Sequence, residues 1–179
     1  MKHALITALV FLGLGLASAQ AQVQWSTIQQ AAKTDIGSRL YFVDFYTDWC
    51  GYCKKMDRDT FNNSLVSQIL NRYYYPVKFN AETTETVAWA GRTYAPAPRN
   101  SKGRTHELAR GLRGYPSFVI YQPDGTPLYI ISGYKSADEL IVILWYFASG
   151  DYRKQPFDKY RRNFKHDTYL SMIKQLKSK

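Results

Sequence analysis

Cys50 and Cys53 are the only cysteines in the chain, and they stand in Trp49-Cys50-Gly51-Tyr52-Cys53-Lys54, directly after the apolar run 40–46. A strand that ends in Cys-x-x-Cys and feeds a helix puts the first sulfur at the helix N-terminus, where unpaired backbone amides and the macrodipole stabilise a thiolate. The second sulfur lies one turn on. Such a pair can close as a disulfide, open as a dithiol, and exchange with another disulfide through a mixed intermediate. Two plainer readings compete with this one. A purely structural disulfide across so small a loop would constrain little of the unfolded chain. A zinc site would need two more ligands, and His3, His106 and His166 are scattered without ligand spacing. The residues therefore point to a working redox pair, with no metal and no cofactor beyond the cysteines themselves.

The elements that would hold this pair alternate in type. Residues 25–32 have a helical pattern, 40–46 read as a buried strand, and 50–70 read as helical with a break at Asn62-Asn63. A second strand is expected at 74–79. Residues 117–121 and 128–132 flank Gln122-Pro123-Asp124-Gly125, which has hairpin turn chemistry. A helix over 137–147 opens on Ser136 with Glu139 three residues later, a capping box. This order predicts an α/β fold, a mixed central sheet with helices on both faces.

Compartment and domain limits come from the ends of the chain. Lys2 and His3 precede an apolar stretch that ends in Ala17-Ser18-Ala19-Gln20-Ala21. That pattern reads as a signal peptide over 1–21, too short to span a bilayer, and implies an exported, periplasmic protein. At 45% hydrophobic and 16% aromatic residues, the composition excludes a chain disordered throughout. The formal charge of +10 is uneven, because 151–179 hold nine basic and three acidic residues. The expected organisation is a core domain at 22–148, with an insertion at about 81–110, and a basic, aromatic extension at 149–179. The plain reading of that extension is one or two helices packed on the core. The sharper reading is weak association with an anionic membrane. Nucleic acid is not an expected partner of an exported protein whose basic residues belong to a tail.

Beyond Cys-x-x-Cys, the chain resembles the thioredoxin superfamily at four places in the right order. Asp44, in Val43-Asp44-Phe45-Tyr46, lies six residues before Cys50, and Lys78 stands at the matching place on the next strand. Arg113-Gly114-Tyr115-Pro116-Ser117-Phe118 matches the segment around the family's cis-proline, and Gly133 follows the last strand. Within the superfamily, Tyr46-Thr47-Asp48-Trp49-Cys50 with Lys54-Lys55-Met56 and Thr60-Phe61 is similar to the periplasmic domain of transmembrane disulfide reductases. Gly91-Arg92-Thr93-Tyr94 and His106-Glu107-Leu108-Ala109 are similar to segments of the small exported thioredoxin-like proteins common in Bacteroidota.

The resemblance implies a thioredoxin-like fold with the insertion before the cis-proline and a helical C-terminal extension. It also assigns roles. Cys50 is the nucleophile, Cys53 resolves the mixed disulfide, Asp44 accepts the Cys53 proton, and Lys78 tunes Asp44. An Asp44–Lys78 pair kept only for structure is the alternative. Trp49, Gly51, Tyr52, Tyr115 and Pro116 would meet an extended substrate peptide, with the backbone of Tyr115 pairing to it. The implied partners are disulfide-containing exported proteins and a membrane-embedded electron donor, and the chain is expected to act as a monomer. Direction stays open: Gly51-Tyr52 resembles the dipeptide of isomerases, while the flanking residues favour a reductase. A redox sensor or a peptide-binding module with little turnover is the rival from another class.

Overall fold

The structure, a computed structural model, describes residues 22–98 and 105–178. The signal peptide expected over 1–21, and 99–104 of the insertion, lie outside the described residues. The central sheet has the order β2-β1-β5-β6, built from β1 (Leu40–Tyr46), β2 (Tyr74–Asn80), β5 (Ser117–Tyr121) and β6 (Pro127–Ser132). β1 pairs in parallel with β2 and antiparallel with β5, so the sheet is mixed. A small separate hairpin, β3 (Val87–Trp89) with β4 (Arg92–Tyr94), occupies the insertion.

β1 is buried along nearly its whole length because both of its faces are covered. Its odd residues Tyr41, Val43 and Phe45 enter one core with Val77, Phe79 and Trp89. Leu40 and Phe42 enter the other, under α2 (Gly51–Asp59), α3 (Ser64–Tyr73) and α4 (Ala137–Ala148). Side chains alternate along a strand, so Asp44 shares the face of Phe42 and lies beneath α2. In the parallel register Asp44 stands opposite Lys78. A slip of either strand by one residue would turn its charged group to the other core and break the pair.

The first helix, α3 and α4 start where side-chain capping is available. Asn63 accepts from the amides of Leu65 and Val66 to open α3 after the break at 60–63. Ser136 and Glu139 form the capping box of α4. The first helix is shorter than 25–32: α1 covers only Ile28–Ala31, because Thr27 caps it and Ser26 is extended, exchanging backbone hydrogen bonds with Pro76 and Lys78 on β2. α3 runs into β2 without a loop, and Tyr74 at that junction is fully buried with its hydroxyl donating to the Leu144 carbonyl.

The C-terminal segment forms a single 3-10 turn (Asp151–Arg153), α5 (Phe157–Asn163) and α6 (His166–Lys177). Tyr160 and Met172 are buried in the core beneath α4, and Tyr146, Phe157, Tyr152 and Tyr160 form a cluster of edge and tilted ring contacts. Lys154, Lys159, Arg161, Arg162 and Lys165 remain exposed. No helix among the described residues is long and apolar enough to cross a membrane.

Candidate redox site

Cys50 is the N-cap of α2, and its Sγ accepts the Cys53 amide at 3.0 Å. The two sulfurs form a disulfide. Both residues are nearly covered, at 3% and 5% exposure, while their neighbours Trp49 and Tyr52 are 68% and 64% exposed. The two exposed aromatics give the rim of the disulfide an apolar surface for whatever reaches it.

That rim is held from several directions. The Trp49 indole donates to Glu82 at 3.0 Å and meets the Tyr115 ring edge-on at 6.3 Å. Tyr115 is half-buried, and burial raises its phenol above the usual range. The Tyr115–Pro116 peptide bond is cis and leads into β5. Gly133, with φ 76°, donates its amide to the Pro116 carbonyl at 2.8 Å. On the other side, Tyr52 lies 6.2 Å from Tyr134, whose ring also carries the Lys55 ammonium at 4.9 Å.

Behind the disulfide, Asp44 is 2% exposed. Its Oδ1 has no hydrogen-bond partner among the described residues, and its Oδ2 lies 3.5 Å from Lys78 Nζ. Burial pushes the Asp44 carboxyl up to about 7; the Lys78 charge opposes this and Asp57 adds to it. Lys78 is divided between two acids, since its ammonium donates directly to Asp57 on α2. The rings of Tyr46 and Trp25, 5.2 and 5.3 Å away, flank the same ammonium.

The structure thus brings Cys50, Gly51, Cys53, Trp49 and Tyr52 onto one strand-to-helix turn, Tyr115 and Pro116 to its edge, and Asp44 and Lys78 beneath it. Asp57, Glu82 and Tyr134 join them without having been singled out from the sequence. Asp57 carried a signal, because it lies four residues after Cys53 and so on the same helical face. Glu82 carried none, since the loop after β2 has no periodicity that aims its carboxylate. Among the described residues there is no group of three or more His, Cys, Asp or Glu that could hold a metal. His106 is committed to backbone, its Nδ1 accepting from the Leu108 amide and its Nε2 3.0 Å from the Glu85 carbonyl oxygen.

A mixed sheet with helices on both faces, and a Cys-x-x-Cys disulfide at the turn from its central strand into a helix, define a thioredoxin-fold thiol-disulfide oxidoreductase. Residues 27–148 match the model of the thioredoxin-like domain, and the chain belongs to that family. A candidate disulphide-isomerase from Bacteroides thetaiotaomicron is similar at 27% identity and TM-score 0.51, over 72% of this chain and 95% of that one. A thioredoxin-fold protein from Helicobacter pylori aligns over 90% of this chain and 91% of its own at 15% identity and TM-score 0.56. A thioredoxin from Thermus thermophilus aligns over 81% and 98% at 20% identity and TM-score 0.55, and these last two likenesses are of fold alone. No curated protein sequence matches the chain significantly.

Proposed function

We propose that the protein is a periplasmic thiol-disulfide oxidoreductase that reduces disulfides of exported proteins. The observation that carries this reading is the disulfide at the N-cap of α2, covered itself but rimmed by exposed aromatics, with a buried carboxyl of raised pKa linked to the same helix through Lys78.

In the reduced form the α2 amides stabilise the Cys50 thiolate, which attacks one sulfur of a substrate disulfide and releases the other as a thiolate. Cys53 then loses its proton to Asp44, and its thiolate attacks Cys50 Sγ. The substrate's second sulfur leaves, and the Cys50–Cys53 disulfide reforms. Two electrons have passed from the dithiol to the substrate. A donor dithiol, in this reading on a membrane-embedded partner, returns them. An Asp44 carboxyl near neutrality is matched to taking and giving up a proton at the working pH. Trp49, Tyr52 and Tyr115 meet the substrate peptide, and the backbone of Tyr115 pairs with it. The signal-like N-terminus supports export, and 22–148 would be the working domain of a monomer.

A second reading is disulfide isomerisation. It is favoured by the Gly51-Tyr52 dipeptide and by the 27% identity to the Bacteroides thetaiotaomicron candidate disulphide-isomerase. Equilibration of the mature protein with graded glutathione, read by thiol labelling, decides between them. A potential toward the thioredoxin end of the range, about −270 mV, supports the reductase; one near −180 mV or above supports isomerase or oxidase. A pair that never exchanges would remove both and leave a binding module.

A further inference from the structure

At the end of the sheet opposite the disulfide, three arginines converge on one open cavity of about 420 Å³. Arg39 immediately precedes β1, Arg72 lies in the last turn of α3, and Arg153 ends the 3-10 turn after α4. Ser38 and Ser149 add hydroxyls to the lining, and no carboxylate does. None of the three guanidiniums has an acidic partner among the described residues. Each is instead oriented by neutral groups. Arg39 donates to the Ile36 and Tyr74 carbonyls, Arg72 to the Leu176 carbonyl at 2.9 Å, and Arg153 to the Tyr152 hydroxyl at 2.9 Å. Each also lies 5.1–5.5 Å from an aromatic ring centre, those of Tyr75, Tyr73 and Tyr152. The acid nearest in sequence, Asp151, is occupied by Ser149 and by Lys154 at 3.2 Å.

A guanidinium carries five N–H donors, and those bonds use at most two on each arginine, so donors remain for a ligand. Three like charges gathered around one concavity repel one another unless an anion joins them. The volume falls within the span of about 300–1,000 Å³ usual for small-molecule sites. We infer that this cavity is a binding site for a phosphate-bearing anion, a free phosphate compound or a lipid headgroup, with Arg39, Arg72 and Arg153 as its ligands. It is separate from the redox chemistry. β1 alone holds the two ends about 20 Å apart at its rise per residue.

The test uses the mature protein and two probes, inorganic pyrophosphate by calorimetry and phosphatidylglycerol vesicles by sedimentation, with phosphatidylcholine vesicles as the uncharged control. Arg39→Gln with Arg153→Gln removes two ligands and leaves Arg72 on the α6 carbonyl. The double variant should weaken binding about tenfold or more, with the disulfide-exchange rate unchanged. Ser38→Glu, which keeps every arginine and adds an opposing charge at an exposed position, should weaken it as well and guards against a folding defect. Pyrophosphate binding lost in both variants identifies a free anion site. Vesicle binding lost in both, without pyrophosphate binding, identifies the headgroup. No binding of either probe overturns the inference, and so does vesicle binding that survives both variants, which would belong to the exposed lysines and arginines of the tail alone.

Discussion

The two ends of β1 present opposite electrostatic designs. At the disulfide end a single ammonium, Lys78, is shared by two carboxylates, one of them almost fully buried. At the other end three guanidiniums stand without an acid and are fixed by carbonyls and rings. The first arrangement changes its charge near neutral pH, because burial holds the Asp44 proton up to about 7. The second keeps its charge at every physiological pH, because arginine does not titrate there. In the proposed mechanism the step that moves a proton falls at the titrating end. The far end responds to ionic strength instead.

The largest effect expected from breaking this contrast is at the sulfur itself. Cys50→Ser should abolish disulfide exchange in an insulin-reduction assay while leaving the fold intact, whereas Cys53→Ser should trap substrates as stable mixed disulfides through Cys50.

Removing the titration at the disulfide end comes next. The folded-state pKa of Asp44 lies above its ordinary value, so the folded protein binds this proton more tightly than the unfolded chain does. The sign follows: this group's contribution to stability is greatest below about pH 4, falls as pH rises toward 7, and is flat above. The shift corresponds to on the order of 4 kcal/mol between those limits. Asp44→Asn should therefore raise the stability above pH 7 by a few kcal/mol in denaturant titrations. It should also flatten that pH dependence and lower turnover near neutrality by roughly tenfold or more. An unchanged turnover across pH 6–8 would remove Asp44 as the base and leave the structural reading of the Asp44–Lys78 pair.

A smaller change sharpens the sharing of Lys78. Asp57→Asn takes away a negative charge that raises Asp44 and frees the ammonium for Asp44 alone. Both effects lower the Asp44 pKa. The rise of turnover with pH should accordingly shift to lower pH, and the stability lost between acid and neutral pH should shrink.

The smallest effect is at the rim. Glu82→Gln weakens the hold on the exposed Trp49 indole. It should change Trp49 fluorescence and substrate affinity modestly and cost at most about 1 kcal/mol of stability.

Much of the disulfide end is written locally. Cys50, Cys53 and Asp44 occur within ten residues, and the parity of a buried strand decides which core Asp44 enters. The Asp44–Lys78 pairing needed only the right alignment of two strands, which their apolar ends supply. The sharing of Lys78 was not legible, because it depends on how α2 is rotated over the sheet. The shorter first helix escaped for a similar reason. Its local periodicity is helical, but Ser26 finds better backbone partners on β2, some fifty residues away. The arginine cavity is hidden most thoroughly. Arg39, Arg72 and Arg153 are far apart in sequence and meet only because the start of β1 and the ends of α3 and α4 lie on the same side of the sheet.

The junction of α3 with β2 has a bearing on how the molecule moves. With no loop between Tyr73 and Tyr74, and the Tyr74 side chain anchored to α4, helix and strand lack a hinge. Any opening of α2 must then be taken up at the two turns that flank it, 47–49 after β1 and 60–63 before this rigid block. In native-state hydrogen exchange, the amides of β1, β2 and α3 should open together as one slow unit, while those of α2 exchange on their own faster clock.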